Sequence, residues 1–259
     1  MKLGCLSYLN VRPLVYTLEN GGLPKGWEFV YAPPSVLAGM LASGEIAAAP
    51  VSSFACFVNP DFDICPGICI AADGPVTSVL LLSKKPITAI ETVALDTSSL
   101  SGANLSRIIL SEGYGMHPRF VQCSPDPVSA MLEVADAALV IGDPAMVCPK
   151  DGLLVMDLAE EWKKLTGLPM VFAVWAGQGV THEVVVVLHE AKRRGMAMLE
   201  QIALEESQRL SLPYEQCYEY LSRIMVYDMG ERETQGFELF REKAAAHGLL
   251  GKAQVSDVG

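Results

Sequence analysis

Short apolar runs rich in β-branched residues recur along the first two thirds of the chain, at residues 3–9, 28–31, 46–51, 77–82, 93–95, 119–122, 137–141, 153–156 and 171–175. Runs of this length, bounded by Gly, Pro and polar residues, predict buried strands. Between them the apolar positions fall at helical spacing. Pro34-Ser35 opens one such stretch, with Val36, Leu37, Met40 and Leu41 on one face and Gly44 as its stop, and residues 101–112 repeat the pattern with Leu105, Ile108 and Ile109 before Gly113. This alternation predicts an α/β fold with largely parallel sheets. From Thr181 onward the pattern changes to three helical stretches with no strand between them. The first, 181–210, has Thr181 as N-cap, Glu183 in its first turn and Val184, Val185, Leu188, Ala191 and Met198 on its apolar face; Pro213 and Gly230 delimit the other two.

The apolar runs 78–82 and 171–175 are the expected crossings between two α/β lobes. Lobe 1 then comprises residues 1–82 and 175–259, including the helical C-terminal end, and lobe 2 is the inserted segment 83–174. Neither an internal repeat nor a flexible linker is visible, so the crossings themselves are the expected hinge.

Of the 259 residues, 51% are hydrophobic and 19% charged, enough apolar material for full-sized cores. The net charge of −11 leaves no broad electropositive face for a phosphate backbone, which argues against nucleic acid as a partner. An anionic ligand would have to be held by local donors, because the overall field repels it. The first ten residues lack a signal-peptide pattern, and no apolar run reaches the roughly 20 residues of a membrane-spanning helix. A soluble, cytoplasmic monomer or homodimer is expected. The seven cysteines are scattered and odd in number, which predicts reduced thiols. Cys65 and Cys69 have no matching Cys or His pair, and the four histidines are dispersed, so no metal site is expected.

Chemistry is sought at the carboxyl ends of the strands, where open α/β sheets bind ligands. The first strand ends in Ser7-Tyr8-Leu9-Asn10-Val11-Arg12-Pro13, where Asn10 offers a donor and an acceptor and Arg12 a planar fork for a carboxylate. Pro50-Val51-Ser52-Ser53 and Gly74-Pro75-Val76-Thr77-Ser78 are further polar strand ends. Asp96-Thr97-Ser98-Ser99 precedes a helix start, where hydroxyls and free N–H groups suit an anion. Ile141-Gly142-Asp143-Pro144 completes the set, with Asp143 a helix cap or a ligand contact. No carboxylate pair, nucleophile elbow, phosphate-binding Gly loop or metal cluster accompanies them. The residues alone therefore point to a two-lobed binder of a small carboxylated ligand, or to an enzyme built on such a cleft.

These motifs resemble the chorismate dehydratase family of the futalosine route to menaquinone. The likeness runs from Ser7 to about Gly177, through Ser7-Tyr8-Leu9-Asn10-x-Arg12-Pro13-Leu14, Asn59-Pro60-Asp61, Asp73-Gly74-Pro75-Val76-x-Ser78-Val79-Leu80-Leu81 and Asp96-Thr97-Ser98-Ser99. It continues through Ile141-Gly142-Asp143-Pro144-Ala145 and Asp157-Leu158-x-x-Glu161-Trp162 to Phe172-Ala173-Val174-Trp175. The resemblance implies a fold like type II periplasmic solute-binding proteins and a cofactor-free dehydration of chorismate to 3-[(1-carboxyvinyl)oxy]benzoate. It implies Asn10 and Ser78 as catalytic residues, with Tyr8, Arg12, Ser52, Ser53, Thr77, Thr97, Ser98, Ser99 and Asp143 around the substrate. A solute-binding protein for an aromatic or enolpyruvyl carboxylate is the alternative. The chain departs from the family pattern at Ala55 and Cys56, where Glu-Tyr is usual, at Thr77, where Arg is common, and at Leu100-Ser101-Gly102, where Arg-Thr-Ser is usual.

Overall fold

The computed structural model describes residues 1–96, 100–123 and 127–251. Its strands are β1 (Lys2–Cys5), β2 (Glu28–Tyr31), β3 (Ala49–Ser52), β4 (Asp63–Ala72), β5 (Val79–Ser83), β6 (Thr92–Asp96), β7 (Arg119–Cys123), β8 (Ala137–Ile141), β9 (Leu154–Asp157), β10 (Met170–Gly177) and β11 (Met225–Val226). The helices are α1 (Arg12–Thr17), α2 (Pro34–Ala42), α3 (Ser53–Val58), α4 (Leu100–Ile108), α5 (Val128–Val134), α6 (Gly142–Val147), α7 (Leu158–Thr166), α8 (His182–Met196), α9 (Leu199–Leu210), α10 (Tyr214–Glu219) and α11 (Glu231–Ala246).

One lobe holds the sheet β11-β4-β10-β3 and the parallel pair β1-β2, joined to it where Gly4 N–H donates to the Ala48 carbonyl at 2.8 Å and Ala47 N–H to that of Lys2 at 2.8 Å. The other holds β7-β6-β8-β5-β9. The expectation of largely parallel sheets needs correction. β10 runs antiparallel to both β3 and β4, and β5 antiparallel to both β8 and β9, while β6 pairs parallel with β7 and β8. β5 and β10 are the strands by which the chain enters a lobe after crossing from the other, and the short C-terminal β11 also pairs antiparallel, with β4.

The crossings also lie earlier than expected. Val79–Ser83 is an interior strand of the second sheet, with every residue buried, and Met170–Gly177 is an interior strand of the first. The passages between lobes are residues 73–78 and 167–169; the second begins where Gly167, at φ 74°, closes α7 in the left-handed conformation. Lobe 2 therefore begins near Val79 and ends before Met170.

The ten-residue strand β4 escaped the pattern because Pro66-Gly67 within it reads as a turn. Gly67 takes φ 72° in a bulge opposite β10, and α8 holds that bulge: His189 Nε2 lies 2.8 Å from the Pro66 carbonyl oxygen and Lys192 Nζ donates to that of Gly67 at 2.8 Å. The C-terminal end likewise differs from three uninterrupted helices. The stretch 181–210 breaks at Ala197-Met198 into α8 and α9, and the short β11 pairs with β4.

The first turn of α1 lies against the end of α8, and a Cβ at Gly195 would stand 1.8 Å from the Pro13 carbonyl oxygen. Gly195 thus sets the distance between α8 and the segment that follows Asn10. Gly195→Ala forces the two apart and is expected to lower stability by about 1–3 kcal/mol, read from the midpoint of urea unfolding.

Candidate functional site

A cavity of about 180 Å³ lies where the lobes meet. From the first lobe Tyr8 and Asn10 reach it from the turn after β1, and Ser52 from the end of β3. Ser78 closes the first crossing, while Ser101 and Gly142 come from the starts of α4 and α6. Val51, Ile70, Val79, Ile141 and Phe172 form apolar walls. Ala55 and Leu100, two of the departures from the resembled pattern, also face the cavity, so apolar groups stand there. Among the described residues, none of the side chains lining it is ionised at neutral pH.

Ser78 is buried, and its Oγ lies 2.8 Å from the Tyr220 Oη, whose hydroxyl also interacts with the Asn10 side chain. Burial raises the Tyr220 pKa above its ordinary value, against these two hydrogen bonds, so the phenol stays protonated. The peptide entering Ser78 is held from outside the cavity. One oxygen of Asp157 accepts Val76 N–H at 2.8 Å and Thr77 N–H at 2.6 Å, and the other accepts Ala159 N–H at 3.0 Å and Glu160 N–H at 3.2 Å at the start of α7. Burial nevertheless raises the Asp157 carboxyl above the usual range, the four N–H bonds opposing it. Thr77 takes φ 62°, a left-handed conformation rarely adopted by a β-branched residue, so backbone strain is concentrated next to Ser78. Beyond it, the Ser78 carbonyl accepts Gly142 N–H at 2.7 Å. Gly142 has φ 64°, and a Cβ there would stand 3.2 Å from the Tyr8 ring, so only Gly lets the ring close this wall.

On the opposite side, Ser101 Oγ lies 3.1 Å from Ser52 Oγ and 3.0 Å from the Phe172 carbonyl, and accepts Phe54 N–H at 3.3 Å. Ser52 also caps α3 by accepting Ala55 N–H at 3.3 Å. Ser101 thereby ties the first turn of α4 to the other lobe.

Four of the expected contact residues lie elsewhere. Arg12 is 2.5 Å from Glu19 and its Nε 3.0 Å from Glu206, so its fork is spent on carboxylates outside the cavity. Asp143 is buried and turned away, accepting Leu9 N–H at 2.8 Å and Arg209 at 2.7 Å. Ser53 is fully buried and donates to the Val171 carbonyl at 2.7 Å. Thr77 is exposed and does not line the cavity. Thr97, Ser98 and Ser99 lie outside the described residues. Tyr8, Asn10, Ser52 and Ser78 do come together at the cavity. Ser101 and Tyr220 were missed: Ser101 read as part of a helix start, and Tyr220 as one more position in a helical pattern 142 residues from Ser78.

A family model described as menaquinone biosynthesis matches residues 1–246. The chain belongs to the menaquinone biosynthesis family. It is 30% identical over 261 residues to the chorismate dehydratase of Thermus thermophilus, covering 93% of each chain. In structure the family member is similar to a protein of Archaeoglobus fulgidus, at a TM-score of 0.79 and 20% identity over 96% of this chain and 97% of that one. It is also similar to the periplasmic aliphatic sulphonate binding protein SsuA of Escherichia coli, at 0.63 and 15% over 96% and 88%. The fold of this menaquinone-biosynthesis protein is that of the periplasmic binding proteins. No helix among its described residues is long and apolar enough to cross a membrane.

The placement of Asp143 separates a structural from a ligand role. Asp143→Asn keeps an acceptor for Leu9 N–H but removes the charge facing part-exposed Arg209. It is expected to cost about 1–2 kcal/mol in thermal unfolding, while calorimetric titration shows the affinity for a carboxylated ligand unchanged.

Proposed function

We propose that the chain dehydrates chorismate to 3-[(1-carboxyvinyl)oxy]benzoate. The observation that carries this reading is the meeting of Asn10 and Ser78 in a largely apolar cavity between the lobes, with no charged side chain on its lining among the described residues. The sequence likeness to a chorismate dehydratase names the substrate.

In the reaction the C3–H bond breaks, its electrons become ring π electrons, and the C4–O bond breaks to release hydroxide. The ring becomes aromatic, which supplies much of the driving force. The protein is left to orient the ring and to stabilise the departing oxygen. Asn10 and Ser78 offer N–H and O–H donors for that oxygen, and apolar walls keep water from competing with them. With no basic side chain lining the cavity among the described residues, the enolpyruvyl carboxylate of chorismate itself takes the C3 proton, which then joins hydroxide as water. For the substrate's two carboxylates the nearest source of donors is the start of α4, with Ser101 and Gly102 on the cavity wall and Thr97, Ser98 and Ser99 just before it in sequence.

One observation favours a second reading, a solute-binding protein for an aromatic or enolpyruvyl carboxylate: the fold is shared with a periplasmic aliphatic sulphonate binding protein. Incubation of the purified protein with chorismate, followed by chromatography, separates the two. Formation of 3-[(1-carboxyvinyl)oxy]benzoate without added metal or nucleotide is expected; tight binding with chorismate recovered unchanged would leave the binder.

Asn10→Asp keeps the shape of the side chain but, ionised, offers only acceptors. Its kcat is expected to fall roughly a hundredfold or more, the scale of a lost transition-state donor, with thermal melting close to that of the unsubstituted protein. Near-normal kcat would remove Asn10 from the machinery.

A further inference from the structure

Tyr220 opens the turn Tyr220–Ile224 that follows α10, is 2% exposed, and does not itself line the cavity. Its hydroxyl nevertheless lies 2.8 Å from the Ser78 Oγ and interacts with the Asn10 side chain. We propose that Tyr220 is a positioning residue that turns the Ser78 hydroxyl proton toward the cavity and holds the Asn10 amide beside it. The inference rests on the dehydratase reading and deepens it.

The direction of the hydrogen bonds follows from the inventory of donors. A phenol has one proton to give and an oxygen that accepts. The phenol is the more acidic of the two hydroxyls and so the stronger donor, which directs its proton to the Ser78 Oγ 2.8 Å away. With its oxygen occupied as an acceptor, the Ser78 hydroxyl points its own proton at the remaining open direction, the cavity. The Ser78 hydroxyl therefore presents a donor beside the Asn10 amide, as the leaving oxygen requires, and the bond from Tyr220 polarises it. The peptide around Ser78 has little freedom to do this alone, being fixed through Asp157 on one side and Gly142 on the other.

Burial of a phenol does not by itself demand such partners in this fold. Tyr227, 3% exposed and close to Tyr220, has a hydroxyl for which no hydrogen-bond partner exists among the described residues. The two residues form a matched pair: equal burial, equal loss on substitution by Phe, but only one hydroxyl connected to the cavity.

The test compares Tyr220→Phe, Tyr227→Phe, Ser78→Ala and the Tyr220→Phe/Ser78→Ala double variant in the chorismate assay. Tyr220→Phe is expected to lower kcat by roughly ten- to a hundredfold with KM within about twofold, and Tyr227→Phe to leave both unchanged. In the Ser78→Ala background, Tyr220→Phe is expected to cost no further activity through Ser78, so that the double variant falls short of the product of the single effects. A Tyr220→Phe protein with normal kcat, or one whose loss is undiminished in the Ser78→Ala background, overturns the role of Tyr220 and leaves the dehydratase reading standing. Absence of turnover by the unsubstituted protein overturns the reading itself. Should Tyr220→Phe fail to fold, the hydroxyl proton of Tyr220 in the NMR spectrum of the unsubstituted protein serves instead. It is expected to move upfield in Ser78→Ala, which removes its acceptor, and an unmoved resonance overturns the proposal.

Discussion

A row of alternating charges runs behind the cavity: Asp143, Arg209, Glu206, Arg12 and Glu19, each within 3.0 Å of the next. Asp143 begins α6 of one lobe, whereas the other four lie on α9 and near α1 of the other lobe. The row therefore closes the lobes against each other and holds the C-terminal helices to the chain's first turn. Through Leu9 N–H it also fixes the short turn Leu9–Val11 that presents Asn10. Glu206 is almost fully buried, and a buried charge of this kind is tolerable only when its partners are in place. The geometry of the cavity is thus set by charges that do not enter it.

That separation gives the cavity its chemical character. Arg12 and Arg209 are engaged by carboxylates outside the cavity, and the described residues lining it offer hydroxyls, one amide and apolar surface. In a site closed to water, neutral donors aimed at a developing negative charge are worth far more than in solvent. A reaction that ends in an aromatic ring and a departing hydroxide asks for such donors and no strong base. Strain adjoins the same place: Thr77 is held at positive φ by Asp157, whose other oxygen starts α7, so the position of Ser78 is tied to the helix that leads into the second crossing.

The alternation of strands and helices, the helical C-terminal end and the two-lobed plan could be read from the periodicity of apolar residues, because each element buries a face whose spacing is written locally. β4 could not, since its Pro66-Gly67 bulge is held by His189 and Lys192 of α8, more than 120 residues away in sequence. Strand direction was equally hidden. The runs 78–82 and 171–175 look the same whether they cross between lobes or lie inside a sheet; only their pairing with β8 and β9, and with β3 and β4, decides.

At the site, sequence alone determined which residues stand at the strand ends, and among these Tyr8, Asn10, Ser52 and Ser78 share the cavity. Which way a polar strand-end residue turns was decided by the tertiary structure. Ser52 and Ser53 are neighbours of identical chemistry, yet one faces the cavity and the other bonds to Val171, because successive side chains at this strand-to-helix junction point apart. Arg12 and Asp143 carry ligand-like groups, but Glu19, Glu206 and Arg209 compete for them from segments distant in sequence. Tyr220 becomes part of the site only when α10 and the turn after it pack beneath the first crossing and bring its hydroxyl to Ser78. Local spacing determines what an element exposes at its ends; long-range packing decides which of those groups face the cavity and can therefore meet a ligand.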